Sequence, residues 1–255
     1  MRVLLGIPTG GAPTQPFLAS LAALELPASV ERLDRYVVTG NYVPAQRELI
    51  AERALELNAD VLVMCDDDIV LPPNALARLS AALDADASCA LAGSLYYSRD
   101  GFRPMAVARW DDANTTTATI PAFAHEPVAV DGVGFGCVAI RTAALRALQP
   151  PFFPADVFVE TQPPRVRVCN EDYRFCSRVR AAGYSVLLHA GVRCGHLDRA
   201  SGVVHPERWE DPASTSHERI AVLRDGVAAL IPYETLPPGA ERHQAAQITY
   251  VRPGA

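Results

Sequence analysis

The stretch VLVMCDDDIVLPPNAL, residues 61–76, decides the fold class of this chain. Residues 61–65 are apolar and partly β-branched, which is typical of a strand buried on both faces of a sheet. Three aspartates follow at once, and Pro72-Pro73 suits the start of a helix predicted over residues 74–83. A buried strand, a polar turn and a helix form the repeating unit of an α/β protein.

The same alternation continues on both sides of this stretch. Further strands are predicted at residues 3–7, 35–39, 89–95 and 185–189, and further helices at residues 17–26, 44–57, 142–148 and 170–182. We therefore expect the α/β class, with a mainly parallel central sheet flanked by helices on both faces. A loop is predicted over residues 150–167, and a helical stretch around residues 217–230.

The composition excludes several other classes of protein. Of 255 residues, 49% are hydrophobic and 20% are charged, a balance that can bury a core and that disordered chains lack. The formal net charge of −6 argues against a surface that coats nucleic acid. No run approaches the roughly 20 apolar residues that span a bilayer, and the N-terminus has the pattern of a buried strand, not of a signal peptide. We expect a cytoplasmic protein, with peripheral attachment to a membrane left open.

The six cysteines show no close paired spacing. In a cytoplasmic chain of this size, we expect them to be reduced residues that pack in the interior. A zinc site made of Cys169, Cys176, Cys194 and His196 is the alternative. It is disfavoured because their spacings do not match the usual Cys-x₂₋₄-Cys pairs.

Polar residues follow several of the predicted parallel strands. Pro8 and Thr9 follow the first strand, residues 39–41 end the second, and residues 66–68 follow the third. The carboxyl ends of parallel strands meet at one edge of a sheet, where ligands bind in open α/β folds. The sequence therefore predicts a binding site at this edge.

Three consecutive carboxylates at the end of a buried strand repel one another unless a cation neutralises them. A divalent cation with oxygen ligands, Mg²⁺ or Mn²⁺ shared with phosphates, accounts for such a cluster. An acidic loop that caps the next helix is the plainer alternative. The aspartyl nucleophile of a phosphatase is another, disfavoured because the cluster follows the third strand and precedes Ile69-Val70.

Two other segments carry weaker signals by themselves. The run Gly134-Phe135-Gly136 would let a ligand approach the backbone closely, and it is equally typical of a β-bulge or tight bend. Glu171 and Asp172 begin a predicted helix, where carboxylates are favoured by the positive end of the helix dipole.

Taken in order, these segments resemble the GT-A-fold glycosyltransferases, especially the family 2-like group. The resemblance covers about residues 3–196. It is carried by residues 61–76, by VDGVGFGCVAIR (130–141), by NEDYRFCSRVRAAGY (170–184) and by CGHL (194–197). It implies a GT-A catalytic domain over residues 1–200. Residues 201–255 would be a C-terminal extension that packs on the same domain as a lid or acceptor region.

The resemblance implies a role for each acidic position. Asp66 and Asp68 match the Asp-x-Asp motif, in which the first aspartate meets the ribose or the metal and the last one meets the metal that bridges the donor's diphosphate. His196 matches the histidine that completes the metal site, and Mn²⁺ or Mg²⁺ is the implied cofactor. Asp172, preceded by Glu171 in the usual acidic pair, matches the carboxylate that takes the acceptor's proton in inverting members.

The remaining implied contacts are with the nucleotide and the sugar. The positions concerned are Pro8, Thr9, Asn41, Arg47, Asp66, Asp67, Gly134 and Gly136. The chain departs from the family pattern after the second strand. A carboxylate that often contacts uracil is replaced there by Thr39-Gly40-Asn41, so the identity of the base stays open.

The expected function is metal-dependent transfer of a sugar, with inversion, from a nucleotide diphosphate such as UDP to an acceptor hydroxyl. The acceptor, whether glycan, lipid, protein or modified nucleobase, is left open. A sugar-1-phosphate nucleotidyltransferase is the first alternative, although residues 9–13 lack the basic residues of its usual loop. A non-catalytic module that binds sugar nucleotides is the second, and the full acidic set argues against it.

Overall fold

A computed structural model of the chain describes residues 1–99, 101, 103–109, 116–117, 126–161, 164–205, 219–224, 227–232, 241–245 and 248–252. For residues 116–117, 156–161, 164–169 and the strands beyond residue 205, the description concerns the backbone.

The strands are β1 (Arg2–Thr9), β2 (Arg32–Thr39), β3 (Val61–Cys65), β4 (Ile69–Val70), β5 (Cys89–Leu95), β6 (Ala106–Arg109), β7 (Thr116–Thr117), β8 (Pro127–Ala129), β9 (Gly132–Val133), β10 (Cys137–Arg141), β11 (Asp156–Thr161), β12 (Pro164–Cys169), β13 (Ser185–Arg193), β14 (Gly195–Leu197), β15 (Val204–His205), β16 (Arg219–Arg224), β17 (Val227–Pro232), β18 (Glu241–Ala245) and β19 (Ile248–Arg252). The helices are α1 (Gln15–Ala22), α2 (Val43–Glu56), α3 (Ala75–Ala85), α4 (Thr142–Ala147) and α5 (Glu171–Ala181).

The predicted α/β alternation is confirmed, with element bounds that differ by a few residues. A proline is the second residue of both α1 and α2, in the first turn, where a missing N–H costs no hydrogen bond within the helix. Among the described residues, no helix combines the length and the apolar character needed to span a membrane.

Seven of the described strands form the central sheet, in the order β2-β1-β3-β10-β5-β13-β8. Strand β1 pairs in parallel with β2 and β3, and β13 pairs in parallel with β5. Strand β10 lies between β3 and β5 and is antiparallel to both, and β8 is antiparallel to β13. Five of these seven strands share one direction, which confirms the predicted mainly parallel sheet. The two antiparallel strands, β10 and β8, make it a mixed, Rossmann-like sheet.

Helices cover both faces of this sheet because the strands are apolar on both sides. On β1, Leu4 points into a core with residues of α2, α4 and α5, whereas Val3 and Leu5 point into a second core with residues of α1 and α3. Side chains alternate between the two faces of a strand, so one apolar run supplies both cores.

Two predictions of local structure are wrong. Residues 150–167 are not a continuous loop, because β11 and β12 form an antiparallel hairpin there. The predicted helix around residues 217–230 is replaced by β16 and β17, which also pair antiparallel. In β16, the β-branched Ile220 and Val222 stand at strand spacing, and this period of two outweighs the helical pattern. In β11, Val157 and Val159 have the same spacing, within a segment whose prolines and phenylalanines favour a loop. Strands β16–β19 form a sheet of four described strands, and the packing predicted for residues 201–255 stays a prediction.

Candidate functional site

The predicted edge of the sheet does gather acidic residues. Strand β3 ends at Cys65, and the Asp66 N–H donates to the Gly136 carbonyl, 3.0 Å away, just before β10 begins. Helix α5 begins at Glu171, and β1 ends at Thr9 on the same side. Four separate segments of the chain therefore meet where the parallel strands end.

Arg47 connects two of these segments. Its side chain lies on α2 and is buried, and its Nη2 is 2.9 and 3.1 Å from the two carboxylate oxygens of Asp66. Its Nη1 is 2.5 Å from Glu171 Oε1, and its guanidinium lies 5.3 Å from the centre of the Phe135 ring. Burial by itself disfavours the guanidinium charge, but Asp66 and Glu171 outweigh this and raise the pKa of Arg47. Arg47 thus forms ion pairs with both acidic segments, and its predicted contact with a nucleotide stays a prediction.

Asp172 occupies a different environment from the neighbouring carboxylates. It is 8% exposed, and its Oδ1 accepts a hydrogen bond of 2.7 Å from the Tyr173 N–H. Burial raises the pKa of Asp172 to about 7, the negative charges of Glu171 and Asp66 add to this, and Arg47 opposes it. A carboxylate that titrates near neutral pH suits proton transfer.

Asp67 turns toward the N-terminal part of the chain. Its Oδ2 lies 2.5 Å from the Thr9 hydroxyl, and its Oδ1 lies 2.6 Å from Arg199 Nη2. Its backbone carbonyl accepts hydrogen bonds from both the N–H and the hydroxyl of Thr14, which precedes α1. Asp67 therefore ties the end of β3 to the loop between β1 and α1.

Asp68 is 3% exposed and faces two basic groups. Its Oδ2 lies 3.1 Å from Arg99 Nε and 2.5 Å from Arg99 Nη2. Its Oδ1 lies 3.6 Å from His196 Nε2. Burial by itself would raise the pKa of Asp68, but the neighbouring basic groups of His196 and Arg99 outweigh it and lower the pKa to about 2.

His196 reaches Asp68 because β14 pairs with β4. His196 lies opposite Ile69 in that pairing, and the Leu197 N–H donates to the Asp68 carbonyl, 2.8 Å away. His196 Nδ1 lies 2.7 Å from the Tyr97 carbonyl, which can only accept a hydrogen bond, so Nδ1 carries a proton. Nε2 is therefore the ring nitrogen that faces Asp68, and a histidine that ligates a metal through one ring nitrogen likewise donates the proton on the other to an acceptor.

The predicted metal ligands are thus only partly brought together. Asp68 and His196 face each other, whereas Asp66 faces Arg47. In the part of the chain that the structure describes, no group of three His, Cys, Asp or Glu side chains is placed to hold a metal ion. One carboxylate and one imidazole still fit Mg²⁺ or Mn²⁺, because these cations take their other ligands from phosphates and water.

Each aspartate of the cluster has its own arginine partner. Arg47 pairs with Asp66, Arg199 with Asp67 and Arg99 with Asp68. The repulsion that led us to expect a cation at this cluster is therefore already offset by three guanidinium groups. Sequence reasoning did not identify Arg99, because the loop that brings it to Asp68 has no recognisable pattern.

Gly134 and Gly136 accommodate Tyr96. A Cβ atom at either glycine would overlap the Tyr96 ring or hydroxyl, and the Gly136 N–H donates to the Tyr96 Oη at 3.0 Å. The Tyr96 ring also meets the His196 ring edge-on, with 5.5 Å between the ring centres. The two glycines thus leave room for the Tyr96 ring, which packs against His196. Their predicted contact with the donor stays a prediction.

Gln46, which sequence reasoning missed, orders the ends of β1 and β2, where contacts with a base are predicted. Its Nε2 lies 2.7 Å from both the Thr9 and the Val38 carbonyl oxygens, so it ties the end of β1 to the end of β2. Pro8 is buried within β1, and Asn41 is exposed just before α2. Their predicted contacts with a base stay predictions.

The cysteines whose side chains are described confirm the expectation of free thiols that pack in the interior. They are Cys65, Cys89, Cys137, Cys176 and Cys194, and all are buried. The side chain of Cys169 lies outside the described residues.

Comparison with known proteins identifies a similar fold but no family. No protein-family model matches the chain, and no curated protein matches it. Among the solved structures that match, the one titled "Crystal Structure of A197 from STIV" has a TM-score of 0.58 and 18% identity, and the match covers 82% of this chain and 96% of that chain. At this identity, the likeness shows a shared fold alone.

Proposed function

We propose that this chain is a metal-dependent glycosyltransferase that moves a sugar, with inversion, from a nucleotide diphosphate to an acceptor hydroxyl. One observation carries the proposal. Two buried carboxylates at the same edge of the sheet have different surroundings: Asp68 faces the imidazole of His196, whereas Asp172 lies in the first turn of α5, where burial raises its pKa to about 7. Such a difference divides cation binding from proton transfer between two residues.

Asp68 and His196 would hold the divalent cation. When bound, Mn²⁺ or Mg²⁺ would supply positive charge against the leaving diphosphate. Asp68 suits this role because its carboxylate is buried and one of its oxygens faces the imidazole of His196. Asp66, which the resemblance also assigns to the metal or the ribose, keeps its carboxylate directed to Arg47, and this favours the ribose or a positioning role for it.

Asp172 would take the proton of the acceptor hydroxyl. The hydroxyl oxygen forms a bond to the anomeric carbon, the bond from that carbon to the diphosphate oxygen breaks, and the proton moves to the Asp172 carboxylate. Attack on the face opposite the leaving group inverts the anomeric centre. Arg47 and Glu171 fix the start of α5, so we assign them to positioning Asp172.

The donor's base would lie against Pro8, Thr9 and Asn41, at the ends of β1 and β2. Gln46 holds these two ends together through its paired hydrogen bonds and so shapes that surface. We propose that the nucleotide of the donor is UDP. A cytoplasmic location and the class of acceptor remain part of the proposal.

A thermal-shift series with UDP, GDP, CMP and TDP, each with and without Mn²⁺, tests the proposal. A ligand that binds the folded state raises the melting temperature by mass action. We expect a rise with UDP only when Mn²⁺ is present. Asp68→Asn should lose this rise and Asp172→Asn should keep it, while Asp34→Asn, a surface control at the opposite end of the sheet, should match the wild type.

Donor turnover gives the second half of the test. We expect slow hydrolysis of a UDP-sugar in the presence of Mn²⁺, with release of UDP, and its loss in Asp172→Asn. Release of pyrophosphate from a nucleoside triphosphate would instead identify a nucleotidyltransferase. A protein that binds none of the four nucleotides with Mn²⁺ would contradict the proposal.

A further inference from the structure

Two of the three arginines at the aspartate cluster differ from the third in exposure. The Arg47 side chain is 4% exposed and belongs to the buried part of the site. The side chains of Arg99 and Arg199 are 59% and 47% exposed, yet each meets a buried carboxylate, that of Asp68 or Asp67. Two partly exposed cations therefore cover the carboxylates on their solvent side.

We propose that Arg99 and Arg199 are exchangeable counter-ions, which neutralise Asp68 and Asp67 in the absence of the metal and move to the donor's diphosphate when the metal binds. This inference rests on the proposed function and extends it to two residues that the resemblance does not assign. It also predicts how metal binding and nucleotide binding depend on each other.

The contacts of Asp68 support this exchange. Arg99 uses both Nε and Nη2 on Oδ2, so Oδ1 is left to face His196. A divalent cation between Asp68 and His196 would repel the guanidinium next to it. A diphosphate bound to that cation offers oxygens for the same planar donor fork, which matches phosphate geometry well. Because Asp68 is buried, it needs a counter-charge in both states.

Arg199 contacts Asp67 through a single nitrogen, Nη2, and its backbone is fixed. The Asp198 carboxylate accepts hydrogen bonds from the Ala200 N–H, the Ser201 N–H and the Ser201 hydroxyl. The turn thus holds the Arg199 backbone in place while its side chain reaches 2.6 Å from Asp67. When the Arg199 side chain moves away, the Asp67 carboxylate still accepts the hydrogen bond of 2.5 Å from the Thr9 hydroxyl. Asp67 therefore keeps a hydrogen-bond partner after the exchange.

Removal of either arginine should change two affinities in opposite directions. In Arg99→Gln, Mn²⁺ alone no longer competes with the guanidinium for Asp68, so it should bind about fivefold more tightly. A change of this size matches the contribution of one partly exposed ion pair. UDP at saturating Mn²⁺ loses a cationic partner and should bind about fivefold more weakly. Arg199→Gln should weaken UDP binding similarly, with a smaller effect on Mn²⁺ alone.

The affinity of Mn²⁺ alone can be measured by electron paramagnetic resonance, and that of UDP at saturating Mn²⁺ by calorimetry. Arg32→Gln is the matched control, because Arg32 is a 60% exposed partner of Asp34 at the opposite end of the sheet. It should leave both affinities unchanged. Circular dichroism checks that each variant is folded.

The outcomes separate this inference from the proposed function. Wild-type protein that shows no Mn²⁺-dependent binding of UDP would overturn both. Normal wild-type binding, with Arg99→Gln changing neither affinity or weakening both together, would overturn the exchange alone. Opposite shifts in Arg99→Gln, smaller in Arg99→Lys, would support it, because a merely structural contact cannot strengthen metal binding and weaken nucleotide binding at once.

Discussion

Arg47 on α2 and Glu171, the first residue of α5, are joined by an ion pair of 2.5 Å, although 124 positions separate them in the sequence. The same guanidinium also holds Asp66, at the end of β3. One buried cation thus fixes the distance between the turn of the aspartate cluster and the helix that carries Asp172.

Replacement of Arg47 by Met should destabilise the protein. Asp66 and Glu171 would lose their counter-charge in a largely buried site, which costs roughly 2–4 kcal/mol in the free energy of unfolding. Urea unfolding measures this loss. Arg53→Met, which removes an exposed ion pair with Glu56 on the same helix, should change the free energy by less than about 0.5 kcal/mol. Equal effects of the two changes would show that the Arg47 network has no structural role.

Activity should rise with pH through the pKa of Asp172. The proposed base must be ionised to accept a proton, and its pKa is raised to about 7 by burial, so turnover of a UDP-sugar should increase from pH 5 to pH 8. Asp172→Asn should reduce turnover by about 10²–10⁴-fold at pH 8, and by less at pH 5, where the wild-type base is itself protonated. A pH profile that keeps its wild-type shape and height in Asp172→Asn would refute the assignment of the base.

The same residue predicts a pH dependence of stability. An aspartate in an unfolded chain has a pKa of about 3.9, so the folded protein, with Asp172 at about 7, binds more protons between these values. The stabilising contribution of protonated Asp172 is complete below pH 4 and is lost as pH rises through 7. Asp172→Asn should therefore be less sensitive to pH from 4 to 7 than the wild type, as measured by urea unfolding at each pH. Parallel curves would contradict the buried position of this carboxylate.

Gly136→Ala should destabilise the protein by about 1–3 kcal/mol, because the added methyl group overlaps Tyr96 and Ile69. Gly11→Ala is the control, since nothing lies within 4 Å of a Cβ atom at Gly11. Thermal unfolding measures both. If Gly136→Ala were as stable as Gly11→Ala but bound UDP poorly, contact with the donor, and not packing, would be the reason for the glycine.

The sequence predicted the parallel part of the fold well because its signals are local. Strand β3 was predicted with its observed bounds, and Pro72 correctly marked the approach to α3. The direction of β10 could not be predicted, since nothing in residues 137–141 distinguishes a parallel from an antiparallel neighbour. The hairpin of β11 and β12 was missed because prolines and phenylalanines were given more weight than the alternation in residues 157–159.

The sequence allowed the carboxylates at this edge of the sheet to be named, but not the arginines that pair with them. Asp68, His196 and Asp172 were recognised because residue type and order along the chain are visible in a sequence. The partners of Asp67 and Asp68 depend on loops that return from 132 and 31 positions away, at Arg199 and Arg99, and a path of that kind leaves no periodic trace.

The short ribbon of β4 and β14 makes the distance between Asp68 and His196 insensitive to the length of the chain between them. The backbone bond from Leu197 to Asp68 fixes the alignment, so segments inserted far from either strand leave it intact. One extra residue inside β14 would instead turn the imidazole to the other side of the ribbon, because successive strand residues face opposite ways. Tolerance to insertion should therefore be high at residues 182–183, an exposed turn between α5 and β13, and absent at residues 195–197.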